Sequence, residues 1–276
     1  VNTIGTNITA ERAARILTDT TFLLQKSLLR LSSGLRITSA GDDPGGAARA
    51  ITLENNIARI GAAQPNITNA TSFSETQSGF IDDVQTALDR MGELAVLSAD
   101  GLTTATQRSD YQIEFTQLQS YVSDVGTKTF NSIALFSATN LGVTIDADGG
   151  QFTMNGLDYQ NNLVSGGLFE AYATISIATS VLAGTALGSV SLAVDNLSFF
   201  KSQVGASLER LDLTSQDLSV LSGNLDSVKS LITDTDIATE AVEYSRLQLL
   251  ADSATAMLIQ ANAQPRSLLE LLDFGN

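Results

Sequence analysis

Apolar residues recur at both ends of the chain at alternating steps of four and three. The first such set is Ala10, Ala14, Leu17, Thr21, Leu24, Leu28, Leu31 and Leu35. This spacing predicts a helix that presents one apolar seam to a partner helix, as in a coiled coil. A second seam runs from Leu53 to Ala95. It predicts a second and much longer helix.

Pro65 lies inside this long helix. Proline has no backbone N–H, and its ring clashes with the carbonyl four residues earlier, so we expect a kink or a break near Gln64. A third helix is predicted from about Thr106 to Gly126, because the side chains of Phe115 and Val122 fall on one helical face.

The pattern changes after Thr129. Glycines and short β-branched or aromatic runs alternate to about Val190, which predicts short strands and turns. Residues 146–149 (DADG) resemble the start of a calcium-binding loop, but Leu157 stands at the twelfth position, where that loop requires Glu. We therefore interpret this segment as a β-turn.

Helical spacing resumes near Val204 and continues to Ile232. A last helix is predicted to begin around residues 234–236, where Asp side chains can cap a first turn. Asp43 and Pro44 are likewise predicted to be the N-cap and the first residue of the long helix. The predicted fold class is mainly α: an elongated helical bundle or coiled coil formed by N- and C-terminal arms, with a small β-rich middle segment.

The amino-acid composition excludes several classes of function. The 276 residues include no Cys, His or Trp, which excludes thiolate and imidazole chemistry, and no cofactor is implied. A formal charge of -15 disfavours nucleic acid as a partner. The first residues have no signal-peptide pattern, and no run of 18 apolar residues occurs, so we expect no membrane segment.

The two terminal segments are predicted to pair with each other. The first seam contains Ala10, Ala14 and Thr21, so a lone helix pair would bury little apolar area. Such a pair needs neighbours for its outer faces. The sequence therefore predicts a subunit whose ends become ordered on polymerisation.

Several motifs resemble those of one family. Residues 30–46, RLSSGLRITSAGDDPGG, resemble the N-terminal signature of bacterial flagellins, and residues 93–99, ELAVLSA, resemble their ELAVQSA motif. Residues 130–132 (FNS) resemble the family's Q-F-N-G turn. Residues 237–240 (IATE) resemble its DYATE motif, and residues 260–262 (QAN), with Pro265, Leu268 and Leu269, resemble its C-terminus. The resemblance covers roughly residues 1–136 and 190–272, with too short a middle for large outer domains.

The resemblance implies a non-enzymatic structural subunit of the bacterial flagellar filament, which polymerises through paired terminal helices into a tube for swimming motility. It implies the following organisation: an N-terminal arm of the inner core at 1–35, a linker at 36–46, helical rod parts at 47–140 and 191–233, a solvent-facing β/turn-rich insert at 141–190, and a C-terminal arm of the core at 234–276.

The resemblance also implies three sets of site residues. The filament interface is Ile8, Leu17, Leu24, Leu28, Leu31, Leu250, Met257, Leu258, Leu268 and Leu269. The linker set is Arg30, Gly34, Arg36, Asp42 and Asp43. The candidates for a surface read by the vertebrate innate flagellin receptor are Gly92, Glu93, Leu94 and Glu114, and we expect poor receptor binding because Gly92 stands where that receptor reads an Arg.

The implied partners are other copies of the chain, a flagellar export chaperone, the filament cap and the hook–filament junction proteins, and the implied location is extracellular after type III export. Two alternatives share the terminal pattern: a hook–filament junction adaptor, and a flagellin-like surface protein that binds a polysaccharide. The fuller RLSSGLR and QAN matches favour a filament subunit over the adaptor, and the absence of Trp disfavours a carbohydrate face. An enzyme would need a site within the short middle segment.

Overall fold

The computed structural model describes residues 7–159 and 175–273, with side chains as far as residue 263 in the last helix. The helices and strands, in chain order, are α1 (Ile8–Ser33), α2 (Pro44–Ala99), α3 (Ala105–Val125), β1 (Thr129–Phe130), β2 (Ile133–Ala134), β3 (Leu141–Thr144), β4 (Gln151–Met154), α4 (Ser180–Thr233) and α5 (Ile237–Asp273). The prediction of a mainly α fold is confirmed.

Helix α1 begins and ends with local caps. The Asn7 side-chain oxygen accepts a hydrogen bond from the Ala10 backbone N–H at 3.1 Å, which satisfies one of the unpaired donors of the first turn. At the other end Gly34 adopts the left-handed conformation, with φ of 72°, and its N–H donates to the Arg30 carbonyl. The predicted first helix is therefore confirmed, with its end set by Gly34.

Helix α2 is continuous through Pro65, so the break that was one of the two alternatives near Gln64 is wrong, and the kink stays a prediction. Gly61 and Pro65 are both exposed. The Gly61 carbonyl, which loses its helical donor at Pro65, thus lies on the solvent side, where water can replace that donor. Asp43 caps the start of α2 as predicted, since its carboxylate accepts the Gly46 N–H at 2.9 Å.

The seam predicted for α2 forms a real core. Its members Ile60, Ile67, Ile81, Leu88 and Met91 are each at most 1% exposed. Helix α3 starts with a capping box between Thr104 and Gln107 and buries Phe115 and Val122, as the sequence predicted. Large aliphatic and aromatic side chains therefore fill this part of the molecule.

Two antiparallel hairpins follow α3. In the first, Phe130 pairs with Ile133 across a turn in which Asn131 and Ser132 have positive φ. In the second, Leu141 pairs with Met154 and Thr144 with Gln151. Its turn is closed by the Asp146 carboxylate, which accepts the Asp148 N–H at 2.9 Å. The predicted β-turn is confirmed.

Helix α4 begins at Ser180, ten residues before the predicted end of the turn-rich segment at residue 190. The predicted boundary at residue 190 is therefore wrong. Ala183, Ala186 and Val190 are buried at helical spacing, and their packing outweighs the low helix propensity of the glycines among them. Residues 160–174 of the predicted insert lie outside the described residues.

Helix α5 begins at Ile237, as predicted from the Asp residues before it. Asp236 is the cap: its carboxylate accepts the N–H groups of Ala238 and Thr239 at 2.9 and 3.2 Å. The pKa of Asp236 is lowered, mainly by this bond from the Thr239 backbone.

The chain divides into two compact units. The terminal unit consists of Val1–Asn55 and Asn224–Asn276, and the middle unit is Asn56–Gly223. Among the described residues, α4 is long and apolar enough to cross a membrane by length and composition alone, although the sequence predicted no membrane segment. The share of its apolar window that is buried is 28%.

Candidate functional site

The terminal unit brings the two ends of the chain together as an antiparallel helix pair. Helix α1 packs along α5. At one end the Asn7 side-chain amide donates to the Ala261 carbonyl at 2.7 Å, and at the other Arg30 lies 3.7 Å from the Glu240 carboxylate. The predicted pairing of the terminal segments is confirmed.

The buried seam of this pair is made of small side chains. On α1 it includes Ala10, Thr20 and Ser27, and on α5 it includes Ala254 and Ala261. Short side chains let the two helix backbones approach closely, but they remove little apolar area from water. Leu247 is the one large side chain that is buried along the described part of α5.

The seam differs from the predicted one at two positions. Thr21 and Leu28 were expected to face the partner helix, whereas Thr20 and Ser27 do, and Leu28 is 52% exposed. Residues three and four positions along a helix are both neighbours of the same residue, so the spacing alone did not choose between them. At the second of these positions the buried side chain, Ser27, is smaller than Leu28.

Large apolar side chains lie on the outer faces of the pair. Of the predicted interface residues, Ile8, Leu28, Leu250 and Met257 are exposed by 42 to 67%. Leu17, Leu24, Leu31 and Leu258 are half-buried beside the seam. The predicted residues Leu268 and Leu269 lie beyond the described side chains.

Further exposed apolar residues, which the predicted interface does not include, lie on the same two helices. They are Ile16, Phe22, Leu23, Leu29, Val242, Leu249 and Ile259. A signal was present, because Phe22 and Leu29, and likewise Val242 and Leu249, are seven residues apart. This second repeat lies on a different face of each helix from the predicted seam.

All the predicted linker residues except Arg30, which lies in the last turn of α1, belong to a compact clasp, defined here as residues 34–43 and the chain that they contact at 232–236. Leu35 forms an antiparallel β-bridge with Asp234. The Gly34 carbonyl accepts the Thr235 N–H at 2.9 Å. Arg36 donates twice: its backbone N–H to the Thr233 carbonyl and its guanidinium to the Ile232 carbonyl, both at 2.6 Å.

Asp42 holds the second half of the clasp together. The Lys26 ammonium lies 2.7 Å from one carboxylate oxygen, and the other oxygen accepts bonds from the Thr38 hydroxyl and the Ser39 N–H at 2.9 and 3.0 Å. Lys26, followed by Thr38, holds the pKa of Asp42 well below its ordinary range. The clasp thereby fixes the turn between α1 and α2.

The receptor-surface candidates lie in the middle unit, and one of them is misplaced. Leu94 is fully buried, so it belongs to the core rather than to a surface. The Arg90 guanidinium donates hydrogen bonds to the carboxylates of Glu93 and Glu114, at 2.8 and 2.7 Å. The bond from Arg90 lowers the pKa of Glu114. Gly92 is half-buried, and a Cβ there would meet a Val190 methyl at 3.8 Å.

The described residues include no group of three or more His, Cys, Asp or Glu that could hold a metal ion. The terminal unit instead offers a surface for binding another protein surface, because the large apolar side chains of its helix pair are exposed. A helix pair with large apolar side chains on its outer faces is typical of the class of self-assembling proteins, because a partner surface normally covers such faces.

Comparison with known proteins identifies the family within this class. The model of the bacterial flagellin N-terminal helical region matches residues 4–141, and that of the bacterial flagellin C-terminal helical region matches residues 187–272. The chain therefore belongs to the bacterial flagellins. Only residues 142–186 separate the two matched regions, so it is a short flagellin.

Curated relatives extend over nearly the whole chain. The flagellar filament 30.7 kDa core protein of Treponema maltophilum is 30% identical, with 98% of this chain and 99% of the relative covered. The flagellar filament core protein of Brachyspira hyodysenteriae is 33% identical over the same shares, and the flagellin of Halalkalibacterium halodurans is 32% identical over 90% of this chain and 91% of its own. The protein is a structural subunit of the bacterial flagellar filament.

Solved structures support the fold. Bacillus cereus flagellin matches with a TM-score of 0.50 and 23% identity, over 56% of this chain and 88% of that one. A structure described as that of a flagellar hook-associated protein from Vibrio parahaemolyticus matches with a TM-score of 0.60 and 19% identity, over 70% and 99%. At these identities the likeness concerns the fold alone.

Proposed function

We propose that the outer faces of the α1–α5 pair are the surfaces through which copies of this flagellin pack into the core of the filament. The supporting observation is that small side chains are buried in the seam of the terminal unit, while the large apolar side chains of Ile8, Leu28 and Met257 are exposed. An isolated helix pair gains little from this arrangement. A neighbouring copy that covers the outer residues would supply the missing apolar burial.

Leu28→Asp tests this interface. Because Leu28 is already half-exposed in the single chain, the variant should fold with an unchanged middle unit. In a filament the same carboxylate would be buried without a partner at every repeated contact, which costs several kcal/mol each time. Seeded growth followed by light scattering and electron microscopy should therefore show no filaments.

Thr18→Asp is the matched control, since Thr18 is an exposed polar residue on the same helix. It should polymerise, because a polar side chain already occupies this exposed position and Arg15, one turn earlier, can pair with the added carboxylate. Normal filaments from Leu28→Asp would refute the interface, and loss of growth in both variants would show that α1 tolerates no added charge.

We further propose that the layers of the filament follow the predicted organisation, with the terminal arms innermost, the clasp as linker and the hairpin region facing outward. The subunit would act there without catalysis, outside the cell, after export as an unfolded chain. The exposed apolar residues Val242 and Leu249 on α5 would be covered by an export chaperone before assembly. The filament cap and junction proteins would contact the same terminal pair at the ends of the filament.

For the innate receptor we propose weak binding. Glu93 and Glu114 are both engaged by Arg90, and Gly92 adds no side chain between them. Gly92→Arg should raise the affinity of the monomer for the receptor in a direct binding assay, while the circular dichroism of the helices is unchanged. A folded variant with no gain in binding would refute this role for Gly92.

A further inference from the structure

Residues 155 and 156 form the only Asn–Gly dipeptide in the sequence. Asparagine deamidates most readily before glycine, because glycine has no side chain to hinder ring closure. The Gly156 backbone nitrogen attacks the side-chain carbon Cγ of Asn155, and the Asn155 amide nitrogen leaves as ammonia with the proton of the Gly156 N–H. Water then opens the five-membered succinimide at one of its two carbonyls, which gives aspartate or isoaspartate.

The position of Asn155 leaves its amide open to this reaction. The residue directly follows β4 in the middle unit, and its side chain is exposed, so water reaches the amide and the ring that would form. Asn155 is part of neither the α1–α5 pair nor the clasp. A chemically reactive pair therefore lies outside the surfaces to which the preceding sections assign a role.

The attacking nitrogen is engaged in the folded chain. The Gly156 N–H donates a hydrogen bond to Oδ1 of Asn140 at 2.9 Å, and Asn140 is the residue directly before β3. Ring closure requires this nitrogen to turn toward the Asn155 side chain and to give up its proton. The bond to Asn140 must therefore break before the reaction can proceed.

Packing on both sides of the pair also resists that movement. A Cβ added to Gly156 would lie 2.5 Å from the Ser137 carbonyl oxygen, so the backbone here rests directly on the preceding loop. Met154 and Leu157, which flank the pair, are 5 and 1% exposed. Two buried side chains and one hydrogen bond thus hold the Gly156 nitrogen in place.

We propose that Asn155 is a deamidation site that the fold suppresses, and that Asn140 suppresses it by holding the Gly156 N–H. An unfolded chain lacks this bond and is modified at the rate that its sequence allows. The fraction of modified Asn155 therefore records the time that a chain has spent unfolded. The inference does not depend on the proposed function, because it involves a single copy of the chain.

The isoaspartate product would not fit the folded structure. It adds one carbon to the backbone beside Gly156, where even a Cβ has no room. The end of β4 would have to separate from the loop at residues 137–138. Modification is therefore expected to weaken the second hairpin in any chain that folds after it has occurred.

Peptide mapping by mass spectrometry measures the conversion of Asn155 to aspartate and isoaspartate at mildly alkaline pH. The folded native chain should convert more slowly than the same chain in guanidinium chloride. Folded Asn140→Ala should convert about two- to tenfold faster than the folded native chain, the range expected for loss of one hydrogen bond between uncharged groups. Asn140→Asp keeps an acceptor oxygen and should stay as slow as the native chain.

Thr139→Ala is the matched control, since Thr139 is the exposed neighbour of Asn140, and it should leave the rate unchanged. Equal rates in the native chain and Asn140→Ala would overturn the proposal, as would equal rates in the folded and unfolded native chain.

Hydrogen exchange separates the effect of this one bond from a general loosening of the hairpin. In Asn140→Ala, the β4 amides that are bonded to β3 should stay protected while Asn155 reacts faster. If Asn155 reacts faster only in step with a loss of protection along β4, Asn140 acts through hairpin stability alone and the proposal is overturned.

Discussion

The terminal and middle units use their large apolar residues in opposite ways. In the middle unit Ile81, Leu88 and Leu94 are completely buried, whereas in the terminal unit Phe22, Leu249 and Met257 are 67 to 69% exposed. Both units are built from long helices with similar spacing of apolar positions. Burial rather than helical periodicity therefore distinguishes a unit with a core of large side chains from a unit whose buried seam is made mainly of small ones.

This difference assigns separate tasks to the two units. The middle unit has enough buried apolar area to hold its shape before assembly. The terminal unit is held by a seam of small residues, by the clasp and by the Arg30–Glu240 ion pair. Its stability should therefore increase when neighbours cover its outer face, which couples its order to polymerisation.

Truncation of one leucine in each unit should give the largest difference in monomer stability between the two units. Leu94→Ala removes a fully buried side chain and should destabilise the monomer by about 2–5 kcal/mol. Leu28→Ala removes a half-exposed one and should change monomer stability by less than about 0.5 kcal/mol. Thermal and urea unfolding of the two monomers measure both values. Equal losses would mean that Leu28 is already packed in the single chain.

Acid should affect the clasp before it affects the core. The folded pKa of Asp42 is lowered by Lys26 and Thr38, so its carboxylate stabilises the fold above the unfolded pKa of about 4. That contribution is lost as the pH falls below about 4. The protection factors of the clasp amides, which correct for the intrinsic pH dependence of exchange, should therefore fall in acid more in the native chain than in Asp42→Asn, whose side chain does not titrate. Identical pH profiles would exclude Asp42 as the cause.

Gly92→Ala should produce the smallest effect, and a stabilising one. Alanine in a helix is favoured over glycine by about 0.5–1 kcal/mol, and the added Cβ would meet Val190 at an ordinary contact distance of 3.8 Å. The midpoint of thermal unfolding should rise slightly. A lower midpoint would show that Gly92 is required for close packing against α4.

Periodicity predicted the helices well but not the fine choice of contacts. It gave α1, α2 and α3 and the pairing of the ends, because apolar positions at steps of three and four require a partner surface. It did not separate Thr20 from Thr21, because these residues lie three and four positions after Leu17 and both are its neighbours on the helix. The glycines near residue 184 suggested turns, although the alanines around them pack as a helix.

The clasp was beyond the reach of local patterns. The contact from Arg36 to Ile232 joins residues 196 positions apart and uses a backbone carbonyl, which every residue possesses. The flagellin resemblance marked the linker residues, but the structure was needed to show what each one contacts. The exposed apolar residues Leu192 and Phe199 on α4 could not be recognised as exposed either, because only the three-dimensional structure separates a covered apolar face from an uncovered one.

Hydrogen exchange of the whole chain, measured in the monomer and in filaments, tests the central claim most directly. We predict rapid exchange in α1 and α5 and slow exchange in the buried parts of α2 and α3 in the monomer. In filaments, protection should rise strongly in α1 and α5 and little in the core of the middle unit. Equal protection of the terminal helices in both states would contradict the claim that neighbouring copies complete the terminal unit.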